Sequence, residues 1–296
     1  MILYWLCAFL CPAFFALGNL IDNHVLHARL RDPVSYDILT IWPLVPIAAL
    51  IFLSTPVSFG FDAVVVGGSV GLASAFLSIV YCVAMMREQG TNVVSIAYTN
   101  PLYVAVFASV FLGESLTLVN YIGIILLVGS ATLVLYRRVS MRNLTLGIVL
   151  AYAVALAITR VVAKAALGGV NVWSYLLWFI IGQCLGTVVL VAFRRKDFSE
   201  SWHKLDSRLV LLILATTFLS FAGLVFLYSA FSLGSVTLAS GMAAIQPSVL
   251  LVYSTVASNF HPEAFPPETI RGRWVNLRKV GAVILIVVGA LALIGT

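Results

Sequence analysis

The chain is built of long apolar stretches separated by short polar ones. Runs of about 20 apolar residues, the length that crosses a bilayer as a helix, recur ten times: approximately 2–20, 38–53, 62–84, 92–112, 117–136, 144–166, 172–193, 208–230, 235–257 and 278–295. Their continuity marks them as helices, because membrane β-strands would show about ten residues of alternating polarity. The second run is short and holds Pro43 and Pro46. The first has no basic segment before it and no small-x-small cleavage site after it, so it is predicted to be a helix rather than a cleaved leader. The connections are short. Only 21–37, 194–208 and 258–277 exceed a dozen residues, and none has room for a soluble domain.

Composition agrees: 62% of the 296 residues are hydrophobic and 9% charged, against about 45–50% and about 25% in a soluble domain. The expected class is an all-α integral membrane protein. A net charge of +6 would suit a nucleic-acid partner, but its distribution follows topology instead. Arg29 and Arg31, then Arg87, then Arg137, Arg138 and Arg142 occupy alternate connections. So do Arg194, Arg195, Lys196, Lys204 and Arg208, followed by Arg271, Arg273, Arg278 and Lys279. That places 15 of the 17 basic residues on one side. By the positive-inside rule this side is cytoplasmic and both termini face outward, in a multi-pass cytoplasmic (inner) membrane protein. One missed or false span would scramble this segregation, so it also supports ten spans.

Two windows repeat. "YCVAMMREQGTNVVSIAYTNPLYVAVFASVFLGE" is answered by "YSAFSLGSVTLASGMAAIQPSVLLVYSTVASNF", with Tyr81 and Tyr228 opening them and Asn100-Pro101 and Gln246-Pro247 at matched offsets. Each copy ends in a glycine-punctuated apolar run, "YIGIILLVGSATLVLY" and "KVGAVILIVVGALALI". Residues 1–138 and 142–296 are therefore read as two copies of a five-helix unit. Five is odd, so the second copy enters the membrane from the opposite side, giving the inverted repeat typical of secondary transporters.

Asn100-Pro101 and Gln246-Pro247 fall midway along the fourth and ninth runs. Proline removes an N–H and frees the carbonyl four residues earlier, here on Ala97 and Ala243. Unpaired backbone at that depth is tolerated only inside protein or along a cavity. A matched pair of broken helices points to a central transport site, with Asn100 and Gln246 offering amides and Tyr98 beside them. The alternative is two kinked helices glued by interhelical amide bonds.

The stretch "NPLYVAVFASVFLGESLTLVNYIGIILLVGSATLVL" resembles the C-terminal part of an EamA domain of the drug/metabolite transporter superfamily, in which a proline leads into a Leu-Gly-Glu turn and a glycine-rich last helix. The second half keeps the Gln-Pro pair and the final helix. The resemblance implies ten helices in two inverted bundles, a central cavity and traffic in small metabolites, amino acids, nucleotide sugars or drugs, often as proton-coupled export. The second half replaces the Leu-Gly-Glu turn with "SNFHPEAFPPETIRGRWVNLRK" and offers no counterpart of Glu114. Outward termini also depart from the usual arrangement in this family.

Arg160 and Lys164, one turn apart in the sixth run, are the two basic residues on the outward side. Lys164 can snorkel, while Arg160 is either an interfacial anchor or a cavity cation for a carboxylate or phosphate. Asn19, Asp22 and His24 mark the inward end of the first run. They suggest an acidic inner gate opposite a basic outer one, with Asn19, Asp22 and Lys164 as gating or coupling residues. Tyr81 and Tyr228 are either interfacial belt residues or cavity aromatics. Glu114 is expected to stabilise the N-terminus of the fifth helix, and Arg87 and Glu88 to be solvated.

Catalytic and metal chemistry find little support. Cys7, Cys11, Cys82 and Cys184 lie in apolar runs without a C-x-x-C spacing, so no metal, disulfide framework or cofactor is expected. Gly67-Gly68-Ser69-Val70-Gly71 matches G-x-S-x-G but falls in an apolar helix, not at a strand-to-helix elbow. None of His24, His27, His203 and His261 lies mid-membrane. Gly67 with Gly71, and Gly182 with Gly186, instead suit small-xxx-small helix contacts. The expectation is a non-enzymatic carrier exporting a small polar metabolite by alternating access. The alternative is a flippase for an amphipathic anionic or lipid-linked substrate.

Overall fold

The computed structural model describes residues 1–28, 30, 32–87, 93, 96–135, 143–193, 195–203, 205–260 and 273–294. The described residues form helices and no strand. In chain order they are α1 (Ile2–Ala28), α2 (Pro33–Ile41), α3 (Leu44–Ser54), a π-helical turn (Asp62–Gly67), α4 (Gly68–Arg87), α5 (Asn100–Phe111) and α6 (Leu118–Leu135). Then follow α7 (Asn143–Leu167), α8 (Val172–Phe193), α9 (Arg195–Trp202), α10 (Ser207–Leu233), α11 (Val236–Ala243), α12 (Gln246–Phe260) and α13 (Arg273–Ile294).

Seven helical segments are long and apolar enough to cross a membrane: Ile2–Leu26, Pro33–Ser54, Asp62–Ala84, Leu144–Leu167, Val172–Phe193, Ser207–Leu233 and Val236–Phe260. Asn100–Phe111, Leu118–Ser130 and Ile284–Ile294 are shorter apolar helices that coincide with the other three runs. The chain is thus an all-α, multi-pass membrane protein. Its outer surface carries exposed Leu50, Leu53, Phe111 and Leu211, the face that lipid rather than water covers.

Helix boundaries differ from the sequence expectation at the first connection. Residues 21–37 were expected to be loop, yet α1 runs to Ala28 and α2 starts at Pro33. The reason is local. Asp32 accepts the Ser35 N–H at 3.0 Å, an N-cap followed by proline at the first helical position, which starts a helix as effectively as a long apolar run does. Asp206 caps α10 in the same way, accepting Leu209 N–H at 2.7 Å. Within 194–208 the polar stretch winds into the short helix α9.

Most of the residues behind the charge count lie outside the described residues: Arg29, Arg31, Arg137, Arg138, Arg142, Arg194, Lys204 and Arg271. The same holds for Glu88, His261, most of the 258–277 connection and part of the start of the fourth run. Arg87 is exposed at the end of α4.

Lipid tails are as apolar as leucine, so helices in a membrane associate by close packing rather than by the hydrophobic effect. Glycines make the closest approaches. A Cβ on Gly71 would lie 2.0 Å from the Phe179 carbonyl oxygen, and one on Gly182 would lie 2.0 Å from that of Gly68, so α4 and α8 meet backbone to backbone. Between α6 and α13 the contact is reciprocal: a Cβ on Gly123 would lie 3.0 Å from Gly289 O, and one on Gly289 would lie 3.0 Å from Gly123 O. Helices α1 and α10 run antiparallel in strict register, with Tyr4 against Gly234, Phe15 against Gly223 and Gly18 against Ser220.

Replacement of Gly71 or Gly182 by alanine is therefore expected to destabilise the protein by about 1–3 kcal/mol. Alanine at Gly129 or Gly147, where nothing lies within 4 Å of the added Cβ, should be neutral or slightly stabilising. Thermal unfolding of the purified variants in one detergent checks the contrast.

Candidate functional site

The polar breaks of the sequence become turns between helices. Tyr98 and Thr99 form a turn before α5, with Thr99 N–H donating to Ile96 O at 3.0 Å and Leu102 N–H to Thr99 O at 3.0 Å. Ala244 and Ile245 form the matching turn between α11 and α12, with Ala244 N–H donating to Gly241 O at 3.0 Å and Ile245 N–H to Met242 O at 3.1 Å. Pro101 and Pro247 thus occupy the first turn of a new helix, where a missing N–H costs nothing. The breaks leave Asn100 and Gln246 at helix starts, 2% and 5% exposed respectively.

Both amides line one cavity of about 360 Å³ walled by residues from each half of the chain, a size that suits a small solute. Asn19, Asp22, Tyr81, Tyr98, Asn100, Arg160, Tyr228 and Gln246 all line it, which brings together eight of the nine side chains singled out for binding or gating. Arg160 is the cavity's cation: its Nη1 donates to Asn100 Oδ1 at 3.1 Å, joining the two halves. Its Nε is buried with no partner among the described residues. The interfacial-anchor alternative for Arg160 does not hold. Nor do the belt positions for Tyr81 and Tyr228, since Tyr228 stacks edge-on with Phe179 at 5.5 Å and Tyr81 packs on Tyr152 at 5.4 Å, forming an aromatic wall.

Lys164 is the exception. Its ammonium does not reach into the cavity or snorkel, but donates to Phe231 O at 2.6 Å and Gly234 O at 2.7 Å, capping the C-terminus of α10. Cations suit that end of a helix. Glu114 also departs from expectation, because it caps a helix of the other half rather than α6. Its carboxylate accepts from Ser235 Oγ at 2.7 Å, Val236 N at 2.9 Å, Thr237 N at 3.3 Å and Thr237 Oγ1 at 2.8 Å. Gly113 makes this reach possible, since its φ of 65° is one that L side chains rarely adopt. Tyr4 completes the latch by donating to Ser235 O at 2.9 Å. The α10–α11 corner, residues 234 and 235, is thereby held by an anion from the α5–α6 connection, a cation from α7 and a phenol from α1.

Several wall residues escaped the sequence reading. Asp37, 5% exposed, lies in α2, which had been assigned to a loop. It accepts from Ser78 Oγ at 2.5 Å. Asp22 accepts from both Tyr36 and Thr216 through one oxygen, Oδ1. Gln183 lines the cavity with a buried Oε1 that has no partner among the described residues. The usable signals were the Asp32-Pro33 helix start and an amide in the middle of an apolar run.

No family model matches the chain, and no curated protein matches it. Twenty-five chains of solved structures do match. One, a crystal structure of a protein, is similar with a TM-score of 0.72 at 17% identity, over 97% of this chain and 94% of that one. At that identity the likeness is one of fold alone.

Cutting the latch should free the α10–α11 corner. Glu114→Ala is expected to remove charge-assisted bonds of about 1.5–3 kcal/mol each at most and to lower the melting temperature. It should also speed alkylation of a cysteine placed at Ser235 several-fold. Glu114→Gln should fall between Ala and the parent on both readouts.

Proposed function

We propose that the protein is a secondary carrier that moves a small polar metabolite across the cytoplasmic membrane by alternating access, without covalent chemistry on the solute. The observation that carries this reading is the Arg160–Asn100 bond in a cavity that Gln246 also lines and that both halves of the chain wall. A guanidinium is expensive to hold inside a membrane, and here its described side-chain partner is a neutral amide. It is therefore free to meet a carboxylate or other anionic acceptor on a ligand.

Ten spans in two inverted five-helix units are part of the proposal. Helix pairing supports them, because exchanging each run with the one five places later maps several of the most extensive helix contacts onto one another. Thus α1 packs on α10 as α4 packs on α7, α5 on α7 as α12 on α1, and α6 on α13 pairs with itself. The two helix breaks are equivalent under the same exchange. With the termini outside, as the basic residues imply, the Glu114–Lys164–Tyr4 latch closes the outer end, so the form described faces inward. These features also fit the drug/metabolite transporter resemblance and export of an amino-acid-like solute.

Untargeted metabolite profiling of cells and medium tests the reading in a host expressing the wild-type protein or the Asn100→Ala, Gln246→Ala double variant. One small polar solute should shift across the membrane with the wild type alone. Arg160→Met should lower the rate at least tenfold at equal membrane abundance. Unchanged distribution of every soluble metabolite would discard the proposal.

A further inference from the structure

The cavity is chemically two-ended, and the end remote from Arg160 has the character of a cation site. Asp22 and Asp37 both line it. They differ from the other carboxylates whose roles are visible. Asp32 and Asp206 cap α2 and α10, and Glu114 caps α11. Asp22 and Asp37 cap nothing, and neither is paired with a cation among the described residues. Asp37 is 95% buried by its 5% exposure, yet its Oδ2 has no partner among the described residues. An uncompensated carboxylate at such a place is costly, so this oxygen points to something that binds there.

The hydroxyls around the acids say what. Tyr36 and Thr216 donate to Asp22, and Ser78 to Asp37. Thr40 donates to the Asp37 carbonyl at 2.9 Å and Thr217 to the Thr40 carbonyl at 2.9 Å, while Ser74 donates to Val70 O at 2.8 Å. Every one of these protons is committed to a protein acceptor, so the lone pairs are what remain for a ligand. A wall of two carboxylates and hydroxyls whose protons are already committed, with the Asn19 amide beside them, presents mainly acceptor oxygens and takes a hard cation or an ammonium group. Other ionisable groups in the wall nearby are Tyr81 and Cys82 on α4, both neutral as ordinary side chains at neutral pH.

Arg160 is too far away to serve as the counter-ion. It lies one turn before Lys164, which bonds to Phe231, whereas the acids sit beside Thr216 and Thr217, about four turns earlier in α10. The helical rise between those levels is of order 15–20 Å. The geometry points to a second station in the cavity: Asp22 and Asp37 bind a monovalent cation, supplied either as a sodium ion or as the protonated amine of the carried solute. Its part in transport rests on the carrier reading, but the binding itself does not.

The test uses the full-length protein purified in detergent, with thermal unfolding followed by fluorescence of its 6 tryptophans. At fixed pH and ionic strength, choline chloride is replaced stepwise by sodium chloride or by ethylammonium chloride. One of the two should raise the unfolding midpoint saturably. Asp37→Asn should raise the half-saturating concentration about tenfold or more, as expected for losing a charged partner. Ser78→Ala, which keeps both charges, should raise it less and serves if Asp37→Asn does not fold. Asp206→Asn, a change to a distant cap, should leave it in place. Saturation by sodium assigns a coupling ion, and saturation by ethylammonium assigns a solute amine. The proposal is overturned by no saturable response to either salt, by equal half-saturation in the wild type and the site variants, or by a midpoint that responds to acid alone. Failure here leaves transport by the Arg160 end untouched, and absence of transport leaves this binding measurable.

Discussion

A polar group inside a hydrocarbon layer has no water to turn to, so the protein must supply its partner. Most of what is distinctive in this structure follows from that constraint. The chain interrupts its helices before Asn100 and before Gln246, and each interruption closes itself with short turn bonds before the next helix begins. The α10–α11 corner is a third interruption, and Glu114, Lys164 and Tyr4 meet its carbonyls and N–H groups from outside. Three of the six buried polar atoms without a partner among the described residues belong to residues that line the cavity: Arg160 Nε, Gln183 Oε1 and Asp37 Oδ2. Unsatisfied groups that line a cavity are places for a ligand, whereas the same groups packed against lipid would be defects.

Two kinds of contact hold the bundle, and they differ in how readily they exchange. The glycine interfaces of α4 with α8 and α6 with α13 bring backbones together, and close packing of this kind changes all at once or not at all. The Arg160–Asn100 bond and the latch around Ser235 are single hydrogen bonds or small groups of them, each of which a ligand or water can replace. On the carrier reading, the glycine-packed pairs move as bodies, and the polar contacts between the halves make and break.

The transverse architecture was legible in the sequence because membrane length and apolar continuity leave few options. Val172–Phe193 coincides with its expected run, and the paired Asn-Pro and Gln-Pro breaks pointed to two amides that line the cavity. The misreadings share a cause. Periodicity and hydropathy report what a residue is, not which element of the other half it meets. Glu114 was read against its own following helix, while its partner lies over a hundred residues away in the loop before α11. Asp37 was lost because hydropathy placed the polar segment 21–37 outside the membrane, although Asp32-Pro33 carried a helix-start signal that hydropathy ignores. Tyr81 and Tyr228 look like belt residues by position along their runs. They become wall residues only once the neighbouring helices are placed.

On the reading of two inverted units, the halves share their helix breaks but not their charges, and that difference bears on what the cavity can do. At the offset that aligns Asn100 with Gln246, the position corresponding to Arg160 in the first run is Phe14, which stacks on Phe226. At the same offset the position corresponding to Glu114 is Phe260. An exchange that merely swapped the conformations of two identical halves would give inward- and outward-facing forms of equal energy. On the carrier reading, one cation, two carboxylates and one latch distributed unequally make the two forms differ in energy, and the resting population follows that difference. The latch weights the form closed at the Tyr4–Ser235 end. A solute that satisfies Arg160, or a cation that satisfies Asp37, shifts the balance only by as much as it binds the two forms differently. For such a carrier the direction of net flow is set by gradients, while the asymmetry of the charges decides which side the empty protein faces while it waits.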